Sequence, residues 1–185
     1  MVIAAPVLLL IALRVKVGSR GPALFRQSRI GRDGCSFEII KFRTMVPDAE
    51  AILATDTNLR RRYEENNFKL ATESDPRITP FGRTLRAASL DELPQLWNVL
   101  RGDMSLVGVR PVPPAHFESF GSIAQRDYML MQPGITGMWQ VNGRFHAEDT
   151  MPRANTEYVE HWSLLLDIRI LLKTLPAVVR RRGAV

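Results

Sequence analysis

Turn-forming dipeptides interrupt this chain at short intervals, and they cap the length of most of its elements. Gly21-Pro22, Asp33-Gly34, Asp75-Pro76, Thr79-Pro80, Arg110-Pro111, Pro113-Pro114, Pro133-Gly134 and Asn142-Gly143 all punctuate it. Proline fixes its own φ and pushes the preceding residue away from helical angles, while glycine supplies the positive φ that tight turns need. Leu24 to Ile30 and Ser36 to Arg43 read as two strands joined around Asp33-Gly34, a hairpin dipeptide. Pro47 suits the first turn of a helix, and the polar residues after it are helix-permissive. A short helix from Phe81 to Ala88 leads to Ser89, and Leu93, Leu96, Trp97 and Leu100 recur at helical spacing between Leu90 and Leu100. Ile135 to Val141 has room for a short strand. Asn155 to Val179 is the longest helical pattern, with Leu164, Ile168, Leu171, Leu172 and Leu175 in one stripe. The expectation is an α+β fold, mostly helical, in a single compact domain over residues 1–185 with a small β-hairpin.

With 45% hydrophobic and 24% charged residues in 185, the chain has the balance of an ordinary folded domain, which excludes wholesale disorder. Its one cysteine, Cys35, excludes an internal disulfide framework and fits a reducing compartment. Cys35 lies in a turn-rich stretch with no histidine close in sequence, so no chemical role is assigned to it. Lys and Arg number 25 against 19 Asp and Glu, a net charge of +6. Such an excess suits nucleic acid, an anionic membrane face or a phosphorylated substrate. No nucleic-acid-binding motif or aromatic-rich basic patch supports the first.

Residues Met1 to Leu13 carry no charge, and Arg14, Lys16 and Arg20 follow. A spanning helix needs roughly 20 apolar residues, so this run is too short to cross a bilayer. A signal peptide would place its positive charge before the apolar stretch. Two readings remain: a buried core helix, or a membrane-dipping segment bent at Pro6 with the basic residues at the headgroups. The C-terminal helix has a similar ambiguity. Trp162 near its start and Arg180, Arg181 and Arg182 after it resemble the anchors of an interfacial helix, and a core helix with a basic tail fits equally well.

Ser89-Leu90-Asp91-Glu92 matches a capping box, in which Ser caps a helix and Glu three residues later reaches back. Pro94 argues for a start nearer Asp91, because proline is tolerated only in a first helical turn. On either reading the two carboxylates lie where backbone donors and the helix dipole also favour phosphate. With Arg86 nearby, the pair also fits phosphoryl transfer, on weaker grounds than the helix start: one carboxylate as nucleophile, the other helping to hold Mg²⁺, with arginine binding phosphate through two donors.

The wider pattern resembles the bacterial sugar transferase family, the monotopic polyprenyl-phosphate phosphoglycosyl transferases. The matching residues include Gly21-Pro22, Phe25-Arg26-Gln27, Lys41-Phe42-Arg43-Thr44-Met45 and Asp75-Pro76-Arg77-Ile78-Thr79. The match continues through Arg86, Ser89 to Leu100, Gly102 to Gly108, Arg110-Pro111, Pro133 to Gly137, Gln140 to Arg144, and Asp167. The resemblance implies transfer of a sugar-1-phosphate from a UDP-sugar to polyprenyl (undecaprenyl) phosphate with release of UMP. It places that reaction at the cytoplasmic face of the bacterial inner membrane, as the first membrane step of exopolysaccharide, O-antigen or glycoconjugate assembly.

Asp91 matches the family's nucleophile, which would form a covalent phosphosugar intermediate, and Glu92 its partner, associated with Mg²⁺. Lys41, Arg86 and Asp167 match positions around the substrate phosphates, and Arg110 and Arg144 match positions suited to the nucleotide. The resemblance further implies interfacial amphipathic helices and a re-entrant membrane helix, of which residues 1–13 would be a remnant. This sequence has Ala5-Pro6 where the family has Ser-Pro, and it starts inside that helix, which suggests a shortened start. Val109 stands where a proline often precedes Arg110-Pro111.

An inactive membrane-surface scaffold of the same fold is the rival expectation. His116, His146 and His161 lack the spacing of zinc ligands and read as structural or surface residues. Arg60, Arg61 and Arg62 read as a solvated helix face, and Trp97 and Trp139 as core or interface.

Overall fold

The computed structural model describes residues 5–65, 70–142 and 150–179. In chain order it contains α1 (Ala5–Gly18), β1 (Leu24–Ile30), β2 (Ser36–Phe42), α2 (Ala49–Thr55), α3 (Thr57–Glu65), α4 (Pro80–Ala87) and α5 (Gln95–Arg101). There follow β3 (Ser105–Val107), α6 (Pro114–Glu118), α7 (Ser122–Met129), β4 (Gly134–Thr136), α8 (Met138–Val141), α9 (Thr150–Glu160) and α10 (Leu164–Val179). The fold is mostly helical, as expected, with β1 and β2 forming the antiparallel hairpin and β3 pairing with β4 in parallel. Asp33 and Gly34 both take positive φ, 59° and 75°, which makes the reversal between the hairpin strands.

The described residues fall into two compact units that interleave in sequence. The first holds residues 5–25 and 41–94, and the second residues 26–40 and 95–179. In the first, Leu8, Ile11, Ala12 and Val15 form one face of α1 at helical spacing and pack with Phe42, Phe81, Leu85, Leu90 and Leu93. Val7, Leu9, Leu10, Leu13 and Val17 remain exposed, so α1 is apolar on both faces. A core helix and a helix with an apolar outer surface are thus the same helix. Pro6 is its second residue, and a bend there falls outside what the described residues define.

The second unit is built around Val107, Val109, Val112, Phe120, Tyr128, Trp139, Tyr158 and Ile170. Tyr128 lies at 0% exposure, donates its hydroxyl to the Ile30 carbonyl at 2.8 Å and accepts from the Val112 amide at 3.3 Å. On α10 the sequence stripe faces outward: Leu164, Leu165, Ile168, Leu171 and Leu172 are exposed, as is Trp162. Arg180, Arg181 and Arg182 lie outside the described residues, as does the side chain of Leu175. Among the described residues no helix is long and apolar enough to cross a membrane.

Several sequence expectations need correction. The capping box does not form: Ser89 adopts left-handed angles (φ 54°, ψ 21°) and its side chain makes no cap bond. Leu90–Glu92 is a single 3-10 turn, and α5 starts only after Pro94, whose missing N–H cannot continue the turn. The strand expected at 135–141 ends at Thr136, and α8 begins at Met138. The long C-terminal helix is two helices, because Ser163 caps a new start by accepting from the Leu166 amide at 3.2 Å. Asp56 divides the stretch after Pro47 in the same way, accepting from Leu59 at 2.9 Å. Trp139 is core at 8% exposure, but Trp97 is 51% exposed.

Candidate active site

The dyad of the first unit is assembled by three neighbouring pieces of chain. Asp91 and Glu92 sit on the 3-10 turn, Lys41 is the penultimate residue of β2, and Arg86 lies in the last turn of α4. Lys41 Nζ donates to Glu92 Oε1 at 3.0 Å, with both side chains about three-quarters buried. Arg86 Nε donates to Thr44 Oγ1 at 2.9 Å. The charges of Lys41, Arg86 and Glu92 all act on Asp91, so the structure brings these four residues together.

Burial and the neighbouring charges both act on the Asp91 carboxylate. Partial burial pushes the Asp91 carboxyl above its ordinary range, and the Glu92 charge adds to this, while Lys41 and Arg86 pull the other way. Burial pulls the Arg86 guanidinium below its ordinary value, against the charges of Asp91 and Asp75 that favour it. Asp91 is thus a poorly solvated carboxylate held among cations.

A second ion pair stands behind this group. Arg77 and Asp75, at 8% and 1% side-chain exposure, bond through Nη2–Oδ2 at 2.8 Å and Nε–Oδ1 at 2.9 Å. Burial alone would raise the Asp75 carboxyl, but the hydrogen bonds and charge of Arg77 outweigh it and hold it below its ordinary range. Arg77 also stacks over the Tyr63 ring at 5.0 Å. Its carbonyl accepts the Val46 amide at 2.8 Å, and Met45 and Ile78 form an antiparallel bridge, so the pair fixes the loop that carries Thr44. The sequence pattern includes Thr44, Asp75 and Arg77, but spacing offers no signal that they meet.

Asp167, Arg110 and Arg144 belong by sequence to the second unit. Asp167 Oδ1 accepts from the Tyr158 hydroxyl at 2.8 Å and Oδ2 from Trp162 Nε1 at 3.3 Å. Burial and the neighbouring Asp167 charge push the Tyr158 hydroxyl far above its usual range. The Arg110 guanidinium lies over the Trp139 ring at 4.7 Å, and its amide donates to Asn155 Oδ1 at 3.2 Å. Arg144 and His146 lie outside the described residues. Cys35 is an exposed free thiol.

As a metal site, the dyad offers hard carboxylate oxygens and little else. Among the described residues no group of three or more His, Cys, Asp or Glu side chains gathers. Two carboxylates are what Mg²⁺ takes when water and substrate phosphate supply the rest, so the donor set fits that ion.

The first unit thus carries a partly buried carboxylate pair flanked by cations. The chain belongs to the bacterial sugar transferase family, whose model matches residues 1–181. It is 44% identical over 190 residues to an undecaprenyl-phosphate galactose phosphotransferase of Salmonella typhimurium, covering 100% of this chain and 39% of that one. It is 42% identical over 189 residues to a UDP-glucose:undecaprenyl-phosphate glucose-1-phosphate transferase of Caulobacter vibrioides, covering 97% and 65%. An exopolysaccharide production protein, ExoY, of Rhizobium meliloti is 41% identical over 182 residues, covering 97% and 80%. The chain thus spans less than two thirds of the first two relatives.

Proposed function

We propose that this chain transfers a sugar-1-phosphate from a UDP-sugar to polyprenyl phosphate, releasing UMP. An Asp91 carboxylate oxygen attacks the sugar-bearing phosphorus, a new P–O bond to Asp91 forms, and the bond to UMP breaks, so UMP leaves with its electron pair. A phosphate oxygen of the lipid then attacks the same phosphorus and displaces Asp91, returning it as a carboxylate and leaving a lipid diphosphosugar. The observation that carries this reading is the partly buried Asp91, pushed toward a more basic carboxylate and flanked by Lys41, Arg86 and Glu92.

Lys41 and Arg86 are placed to offset the charge that gathers as one anion attacks another. Lys41 also holds Glu92 in place. Mg²⁺ bound through Asp91 and Glu92 would supply further neutralisation of phosphate charge. By family position, Asp167 belongs with the substrate phosphates and Arg110 and Arg144 with the nucleotide. The exposed apolar surfaces of α1 and α10, with Trp162, support work at a membrane surface, where a polyprenyl substrate resides. The same reading puts the reaction on the cytoplasmic face.

The test is UMP release in detergent or nanodiscs, with polyprenyl phosphate, Mg²⁺ and a panel of UDP-sugars. Release with one sugar, together with a phosphosugar adduct on Asp91 and loss of both in Asp91→Asn, is the expected result. Full turnover by Asp91→Asn refutes the nucleophile. Silence of the protein across the panel favours the scaffold.

A further inference from the structure

Thr44 makes contacts with both ends of α4. Its carbonyl accepts the Thr79 amide at 2.9 Å and the Thr79 hydroxyl at 3.2 Å, and Thr79 Oγ1 in turn accepts the Gly82 amide at 3.0 Å. That chain of bonds ties the N-cap of α4 to Thr44. At the other end, Arg86 Nε donates to Thr44 Oγ1 at 2.9 Å. Helical side chains lean toward the helix N-terminus, and residues four apart share a face. Arg86 therefore reaches back over Gly82, one turn earlier. Gly82 lets the two backbones touch, since a Cβ there would lie 2.1 Å from the Thr44 oxygen.

The consequence concerns the guanidinium rather than the helix alone. A long arginine side chain has many rotamers, and a planar fork is effective only if it is aimed. Binding Nε to the hydroxyl of a residue whose carbonyl is already bonded, and which is only 6% exposed, removes much of that freedom. It also leaves both terminal amino groups of Arg86 for an anion at the dyad.

We infer that Thr44 is a positioning residue of the transfer site: its hydroxyl aims the Arg86 guanidinium at the Asp91 phosphosugar centre. This rests on the proposed transfer reaction for its consequence, but the Thr44–Arg86 hydrogen bond can be read without it.

The experiment compares Thr44→Val, which removes the hydroxyl at nearly constant volume, with Thr44→Ser, which keeps it. Thr44→Val lowers kcat for UMP release by about 10–100-fold, the scale of a small misplacement of a catalytic group. KM for the UDP-sugar stays within about threefold, since the interaction lost is one of the transition state. Thr44→Ser stays within about threefold of the parent in both constants, the scale of one lost methyl contact. In an Arg86→Lys background, which has no Nε fork, Thr44→Val adds no further loss. Independently of turnover, the Arg86 Nε–H resonance in a ¹⁵N-correlated spectrum is retained and exchange-protected in Thr44→Ser and shifted or lost in Thr44→Val.

Unchanged kcat in Thr44→Val, an equal loss in Thr44→Ser, or an Arg86 Nε–H signal indifferent to the hydroxyl each overturns the inference. Absence of UMP release from the parent protein counts against the transfer reading instead, and the resonance then decides the positioning role alone.

Discussion

Replacing Gly82 with alanine tests the close contact on which the site's geometry depends. The new Cβ would stand 2.1 Å from the Thr44 carbonyl oxygen and 2.8 Å from its carbon and Cα. Ordinary contact for such an atom begins at 3.4 Å, so α4 and the Thr44 segment must separate by about 1 Å or more. The Thr79–Thr44 and Arg86–Thr44 hydrogen bonds, both now 2.9 Å, then stretch beyond useful length. Overpacking costs roughly 1–3 kcal/mol, and two lost hydrogen bonds add about 1 kcal/mol each. A loss of about 3–5 kcal/mol lowers Tm by roughly 6–20 °C for a chain of this length. The assay is a thermal melt followed by circular dichroism in detergent, beside UMP release at a temperature where both proteins remain folded. Gly121→Ala is the control, because nothing lies within 4 Å of its Cβ and its φ of −63° suits any residue. That control moves Tm by less than about 2 °C. A Gly82→Ala protein that melts within about 2 °C of its parent and keeps full turnover refutes the reasoning.

Asp75→Asn leaves Arg77 buried beside a neutral partner and costs about 3–5 kcal/mol near neutral pH, read from denaturant melts. Because the Asp75 carboxyl is held below its ordinary range, its stabilisation is present above the unfolded carboxylate pKa and disappears as pH falls through the folded one, so this acid-side loss is smaller in Asp75→Asn. Asp91 has the opposite sign. Its carboxyl is raised, so ionisation costs folded stability above that raised value, and Asp91→Asn melts higher at pH 7 with an advantage that shrinks on acidification. The same substitution lowers UMP release on the order of a thousandfold or more. Leu165→Glu with Leu172→Glu, both on exposed positions of α10, weakens sedimentation with anionic vesicles by about tenfold or more while leaving Tm nearly unchanged.

Much of the local fold was legible because its signals are chemical. Asp33-Gly34 marks the hairpin turn and bounds β1 and β2 nearly to the residue, since positive φ is tolerated by aspartate and free for glycine, which lacks a Cβ. The apolar stripe of α10 was also readable, but periodicity cannot say whether a stripe faces a core or the outside. Errors arose where two signals competed. Ser89 looked like a cap, yet Pro94 prevented the helix that it would have capped, and the turn closed instead on a left-handed serine. Ser163 is a cap that does form, hidden within continuous helical periodicity. Of the candidate site, Asp91, Glu92, Lys41 and Arg86 are legible as motif residues, and the structure brings those four together. Thr44, Asp75 and Arg77 act through tertiary contacts across about 30–40 residues, which no local pattern encodes.

The interleaving of the two units has a consequence for the order in which the protein is made. Every described residue of the first unit precedes residue 95, so its core and its carboxylate dyad have all their described parts once the first half of the chain has left the ribosome. The second unit cannot close so early. Ile30 emerges with the hairpin, but its hydrogen-bond partners Val112 and Tyr128 are synthesised 82 and 98 residues later. During elongation Ile30 must wait without these partners, and a stall before residue 128 would leave the dyad complete and the second unit unfinished.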